Sequence, residues 1–510
     1  MSTAPSELLR RFRSLDVNIR RALLGLVVLA AWPLANSMLA NGAPAGVIFL
    51  GMVMGSLIGM SAVGIVLVYR AARIVNFAQS SLGSAAGVLA IMLFQQWHVN
   101  YFIAVPVGLI AAAGAGALVD VIVIRRFFWA PRLILTLATI GLAQILGGIE
   151  LGIPIAFGGT LFGAGFDTPL SFSFTIDPIQ FNGNHVMIMI VAPIAIGLLA
   201  WFLRGTDAGT GIRASAENAE RAMLLGIPVR RLSTIVWMIA ASLSALSFML
   251  GAPILGRGLT AAGGPAVLLP ALAAAVLARM DNLPRAFLGG IGLGVLQEVA
   301  KWNSPNRFSF TDVIFLAVVL IGLLLQRDRL SRADDAALSS WVGAKETPPV
   351  PTELQGLPEI VWVRRALLLA AFVFALVLPV FLSISQINLL GTLPAIYAIV
   401  AISLVVLTGW AGQISLGQFA FAGVGAVAAA NMLANDWDLF IAVPFAGVIA
   451  GIAAILVGLP ALRIKGLFLA VTSLALAVPV ASYFLNPSYF TSILPQQVDR
   501  VLLWERFNLQ

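Results

Sequence analysis

Asn76, Gln79, Ser415 and Gln418 are polar side chains set inside long apolar runs. A polar group in hydrocarbon is costly, so each must bond to a neighbouring helix or serve a solute path. Both readings stand for these four: interhelical hydrogen bonds that fix packing, or groups flanking a route across the membrane. Gln144, Glu150, Gln297 and Glu298 form a second set in the outer parts of their runs, and Glu298 has a natural partner in Lys301. Other chemistry finds few residues. No G-x-x-x-x-G-K-[ST] occurs to cradle a nucleotide. His98 and His185, the two histidines, fall between apolar runs, unlike a metal or proton-relay pair. Asp334-Asp335 lies in a polar stretch and reads as a solvated charge pair. No Ser/His/Asp grouping or H-E-x-x-H appears, so the chain is expected to be no enzyme and to carry no metal or cofactor.

Composition says what must position these groups. Of 510 residues, 60% are hydrophobic and 10% charged, and the mean hydropathy is +0.99. Soluble domains carry roughly 25% charged residues. Repeated apolar runs of about 20 residues are long enough to cross the hydrocarbon as helices. The fold class is therefore all-α, a polytopic transmembrane helical bundle. The net charge of +8 reflects the positive bias of cytoplasmic loops and is no nucleic-acid footprint. Arginine outnumbers lysine 27 to 3, a bias expected of a GC-rich bacterial genome.

Fifteen membrane segments are expected, one of them re-entrant. They lie near 22–39, 45–69, 74–96, 101–124, 133–154, 186–204, 233–254, 265–280, 284–300 and 308–326. After a polar linker at 327–363 come 366–384, 388–408, 412–434, 439–461 and 466–485. The first follows Arg20-Arg21 without a small-x-small cleavage site and is read as a retained helix. With the N-terminus cytoplasmic, all of the 30 basic residues except Arg257, Lys301, Arg307, Arg500 and Arg506 face the cytoplasm. One missed span would invert everything after it, so this bias supports the count. The Gly-rich segment 74–96 is the expected re-entrant one.

The chain repeats itself across the linker. "YFIAVP" at 101–106 returns as "LFIAVP" at 439–444. "VNFAQSSLGSAAG" at 75–87 lies over "ISLGQFAFAGVGA" at 414–426, placing Gln79 on Gln418 and Asn76 on Ser415. "LILTLATIGLA" at 133–143 matches "LFLAVTSLALA" at 467–477 more weakly. The paired segments cross in the same direction, so the two pseudo-repeats are parallel. The organisation expected is an N-terminal segment and first helix (1–44), a first unit (45–326), a linker (327–363) and a second unit (364–510). The path is expected at the interface of the two units.

Residues 205–232 form a cytoplasmic loop with a helical stretch at about 212–225, stopped by Gly226 and Pro228. Such a helix is either an ordinary connection or a surface for a partner. Its sequence, "GIRASAENAERAMLLGIPVRRL", resembles the coupling loop of ATP-binding-cassette importer permeases. "GSLIGMSAVGIVLVYRAARIVNFAQSSLG" resembles the opening of one branched-chain amino acid permease subunit. "LTGWAGQISLGQFAFAGVGA" with "LRIKGLFLAVTSLALA" resembles the sister subunit. The likeness covers about 45–326 as one subunit and about 366–485 as part of the other. The family's second subunit continues into its own coupling loop, which is missing before Gln510; either the sequence is truncated, the favoured reading, or this chain makes only half of the motor contacts.

The resemblance implies an importer permease of the bacterial inner membrane, working by alternating access. Cytoplasmic ABC ATPase subunits would drive it, and an extracytoplasmic substrate-binding protein would deliver branched-chain or other hydrophobic amino acids. Arg213, Ala214, Glu217, Ala222, Leu225 and Gly226 are the expected ATPase-coupling residues. Asn76, Gln79, Ser415, Gln418, Gln144 and Glu150 are the expected path residues. The rival is a secondary transporter or channel for a small polar solute such as urea or an amino acid, needing neither ATP nor partners.

Overall fold

The computed structural model describes residues 39–127, 132–158, 166–255, 264–335, 357–381, 393–410, 415–461 and 467–491. It adds isolated positions at 33, 36, 37, 391, 413, 494, 502–503 and 507–508. The segment expected as the first span, 22–39, lies almost wholly outside the described residues, as does most of the linker. The other fourteen expected spans all fall on helices. Among the described residues, seven helices are long and apolar enough to cross a membrane, and four shorter apolar helices accompany them.

Helix α1 (Ala45–Ala72) is the centre of the molecule, with most of its residues buried. At 1.5 Å per residue its 28 residues span about 42 Å. It is followed by α2 (Gln79–Trp97), α3 (Tyr101–Val119) and α4 (Arg132–Ala156). A π-helical turn, Asp120–Ile124, ends α3. A hairpin of β1 (Ser173–Ile176) and β2 (Ile179–Asn182) precedes α5 (Gly183–Gly205). Next come α6 (Asp207–Glu217), α7 (Ala219–Leu224), α8 (Val229–Leu255), α9 (Gly264–Leu277), α10 (Leu283–Asn303) and α11 (Phe310–Asp335). His185 is spent on structure: with Asn182 it forms the capping box that opens α5.

Lipid supplies no hydrophobic drive between apolar helices, so close backbone approach must hold the bundle. Helices α1 and α10 show how. Gly51, Gly55 and Gly59, four residues apart, face Gly290 and Gly294, and a Cβ at Gly55 or Gly294 would run into the opposing backbone. Outward-facing Phe102, Ile110, Leu118 and Ile145 are exposed, as lipid-facing side chains should be.

The second unit comprises α12 (Pro358–Phe381), α13 (Leu393–Trp410), α14 (Gln418–Ala434), α15 (Leu439–Ala461) and α16 (Leu467–Pro479). A π-helical turn, Val480–Phe484, closes it. Among the described residues, α16 packs against the helices of the first unit. Its Phe468, Val471, Leu474 and Ala475 enter the same apolar core as α9 and α11. Beyond it, Ser482 Oγ donates to Asp312 at 2.6 Å and Arg307 donates to the Tyr483 hydroxyl at 3.3 Å.

Candidate translocation site

The expected re-entrant segment is a broken one. Helix α1 stops at Arg73, which adopts the left-handed conformation (φ 55°). Residues 74–78 then return through the interior with every side chain buried. Non-helical backbone at this depth survives only if its polar groups find partners inside the protein. Asn76 provides them: its Oδ1 accepts the Ala78 N–H at 3.0 Å and its Nδ2 donates to Gln79 Oε1 at 3.1 Å. Gln79 Nε2 donates in turn to the Ala240 carbonyl on α8 at 2.9 Å, and Ser244 Oγ donates to the Gln79 carbonyl at 2.7 Å. Asn76 and Gln79 are both fully buried.

The second copy is built the same way. Ser415 Oγ accepts the Gly417 N–H at 3.2 Å, as Asn76 accepts that of Ala78. The residue between them donates to a hydroxyl two helices on: Phe77 to Thr139 at 3.3 Å, Leu416 to Ser473 at 2.8 Å. Each hydroxyl is itself anchored to the carbonyl three residues back, on Thr136 and on Ala470. Helix then resumes at Gln79 and at Gln418. The repeat therefore encodes a device for breaking a helix in hydrocarbon.

Above the first break lies a cavity of about 420 Å³. Its polar lining includes Gln79, Ser80, Ser81 and Ser84 of α2, Glu150 of α4 and Asp312 of α11. Gln297 of α10, Ser244 and Ser247 of α8 and Ser61 of α1 complete it. Glu150 is 3% exposed and accepts the Ser84 hydroxyl at 2.5 Å. The rest of the wall is apolar, with Leu57, Ile58, Phe248, Leu268 and Phe315.

The segment expected to be the cytoplasmic loop, 205–232, is two helices where one was expected. Asn218 interrupts it with extended backbone (φ −155°, ψ 105°), and its side chain caps α7 by accepting the Arg221 N–H. Thr206 caps α6 in the same manner. Gly226 closes α7 at φ 78°, with N–H bonds from Gly226 to Met223 and from Ile227 to Ala222. That pattern is the Schellman motif, and its left-handed residue favours glycine.

A family model described as "Branched-chain amino acid transport system / permease component" matches residues 47–324 and 386–494, most of the chain. The chain belongs to that family. As a permease component it is a transport subunit, not itself a catalyst. The permease is 26% identical over 293 residues to the high-affinity branched-chain amino acid transport system permease protein LivH of Salmonella typhimurium LT2. That match covers 54% of this chain and 92% of the relative. It is 32% identical over 130 residues to the corresponding LivM protein of Escherichia coli K12, covering 25% of this chain and 30% of the relative. Two matched segments and two kinds of relative fit a fusion of permease units. A solved structure titled "An inward-facing conformation of a putative metal-chelate type ABC transporter" is similar at TM-score 0.32 and 16% identity. That match spans 56% of this chain and 86% of that one, and is too distant to carry an argument.

The permease brings some of the expected residues together and separates others. Gln79 and Glu150 meet at one cavity, and Asn76 stands behind Gln79 as its support. Gln144 is exposed and lines no part of it. It sits six residues before Glu150, about 240° around the helix, and so belongs to the lipid face. Ser415 and Gln418 build the second break and are absent from the cavity wall. Glu298 pairs with Lys301 at 2.7 Å, as expected. In the segment 205–232, Arg213, Glu217, Leu225 and Gly226 are exposed and Ala214 half-buried. Ala222 is 2% exposed and turned inward, so it packs the segment and offers nothing to a partner. Leu224, beside Leu225 and 88% exposed, was missed. The cavity serines were missed too. Their spacing at 80, 81 and 84, one helical turn, was the available signal.

Proposed function

We propose that this permease is the membrane-spanning part of an ATP-driven importer of branched-chain or other hydrophobic amino acids. Two fused units, 45–326 and 364–510, rock about a pseudo-twofold axis along the membrane normal. Cytoplasmic ABC ATPases bind the segment 205–232, with Arg213, Ala214, Glu217, Leu224, Leu225 and Gly226 at the contact. A substrate-binding protein delivers from the opposite face. The membrane is the bacterial inner membrane, with the N-terminus in the cytoplasm.

The relatives' names support the substrate class. The observation that carries the mechanism is one hydrogen bond: Arg73 Nη2 donates to the Ala216 carbonyl at 3.1 Å. It joins the last residues of α6 to the start of the break, and the break carries Gln79 and the first turn of α2 into the cavity wall. A push on α6 is thereby a pull on the cavity. Coupling of this kind needs a packed element with two arrangements, and an uncapped, broken helix is a suitable one.

Reconstitution in proteoliposomes tests the reading. Leucine uptake is expected only when ATPase subunits, binding protein and ATP are all present. Gradient-driven flux of leucine through the chain alone would overturn it in favour of a secondary transporter or channel.

A further inference from the structure

The cavity of the first unit is rich in acceptors. The charged side chains that line it, Glu150 and Asp312, are both acidic. Gln297 Oε1, a buried acceptor on the same wall, has no hydrogen-bond partner among the described residues. Glu150 accepts the Ser84 hydroxyl at 2.5 Å on the same wall. A ligand drawn to these groups must bring donors and positive charge.

A second pole lies one turn away on α2. No side chain caps this helix, and its first helical bond runs from the Leu82 N–H to the Ala78 carbonyl. The N–H groups of Gln79, Ser80 and Ser81 precede that bond and form the positive end of the helix dipole. Ser80 and Ser81 line the cavity, so this end opens onto it. From Ser80 and Ser81 to Ser84 the rise is about 4.5–6 Å. That separation suits the carboxylate and ammonium of one α-amino acid, and the apolar wall suits a hydrocarbon side chain. The volume falls within the roughly 300–1,000 Å³ of small-ligand pockets.

The repeat supplies an internal control. Both units keep the helix break, yet Ser80, Ser81 and Ser84 become Phe419, Ala420 and Gly423 in the second. At the offset that matches Thr139 with Ser473, Glu150 becomes Phe484. The polar set is not needed to build the break, which leaves the cavity as its purpose.

We infer that the first unit holds a binding site for a zwitterionic, apolar α-amino acid. Glu150 and Gln297 Oε1 take the ammonium, and the first turn of α2 takes the carboxylate. Asp312, which accepts the Ser482 hydroxyl, lines the same cavity. The choice of ligand rests on the importer reading; the site lies within one unit, where that reading places the path between two.

The test is competition against radiolabelled leucine bound to the full chain in nanodiscs, without ATPase or binding protein. Leucine should compete at least tenfold better than 4-methyl-2-oxopentanoate, which lacks the ammonium, and better than isopentylamine, which lacks the carboxylate. Glu150→Gln should abolish the preference for leucine over the keto acid. Equal competition by leucine and the keto acid in the unaltered chain would overturn the site, and so would an unchanged preference in Glu150→Gln. Absence of leucine binding up to millimolar concentration would overturn it as well. The unaltered chain decides the matter even if the variant fails to fold. Failure of ATP-dependent uptake with this preference intact would sink the importer reading and leave the site standing.

Discussion

The carboxylate of Asp120, wholly buried, lies 3.2 Å from the guanidinium of Arg125 across a single π-helical turn. Ser233 and Thr234, at the start of α8, each donate a hydroxyl to the same carboxylate at 2.7 Å. Thr234 also accepts from Arg125 at 2.6 Å. The cluster bolts the C-terminal end of α3 to the start of α8, the helix that follows α7.

Replacing Asp120 with Ala should therefore destabilise the fold. Breaking a buried pair costs about 3–5 kcal/mol, and the partly exposed Arg125 places this one toward the low end. Thermal unfolding in detergent should show a lowered midpoint, with Asp120→Asn intermediate because it keeps an acceptor for the hydroxyls. An unchanged midpoint for Asp120→Ala would refute the bolt.

The glycine seam makes a paired prediction. Gly55→Leu places a side chain into the backbone of Ile291 and should abolish the monodisperse folded protein. Gly292→Leu, on the same helix α10, has open space and should leave it intact. Size-exclusion chromatography of the two variants reads the difference. Equal profiles would mean that α1 and α10 do not meet through these glycines.

At Gly226 the backbone sits at φ 78°, where a β-branched residue costs about 1–2 kcal/mol or distorts the turn. Gly226→Val should insert normally but fail to retain ATPase subunits in a pull-down. Gly226→Asn should retain them in part, because asparagine tolerates this conformation. Full retention by the valine variant would remove Gly226 from the docking surface.

Gln79→Ala deletes two hydrogen bonds and strands the buried Asn76 amide, while the Ala240 carbonyl keeps its place in the helical ladder of α8. A loss of about 1–3 kcal/mol for the stranded group is expected, with reduced uptake. Gln418, half-buried and away from the cavity, should matter less when replaced by Ala. Equal uptake defects in the two variants would mean that the repeats serve one shared path.

How much of this was legible depended on the range of the forces involved. Spans were readable because a bilayer acts on each stretch of about 20 residues by itself. The repeat was readable because Asn76 and Ser415, with Gln79 and Gln418, hold short-range geometry that the sequence states twice. Gln144 lies off the cavity wall because depth in a span says nothing of the face it occupies. Ala222 is buried in the segment, a placement that the pattern of small and apolar residues did not settle. Ser84 looked like one small residue among many until Glu150 was placed against it.

Sequence alone determined that the chain is a helical membrane protein with a duplicated unit, since hydropathy and local backbone chemistry are properties of contiguous residues. Tertiary structure decided that Glu150, Asp312 and Gln297 converge on one cavity, that Asn76 serves Gln79, and that Arg73 reaches Ala216. Those pairings span tens to hundreds of residues, and helix rotation sets them through the packing of many small side chains at once. No single stretch of the chain contains that information.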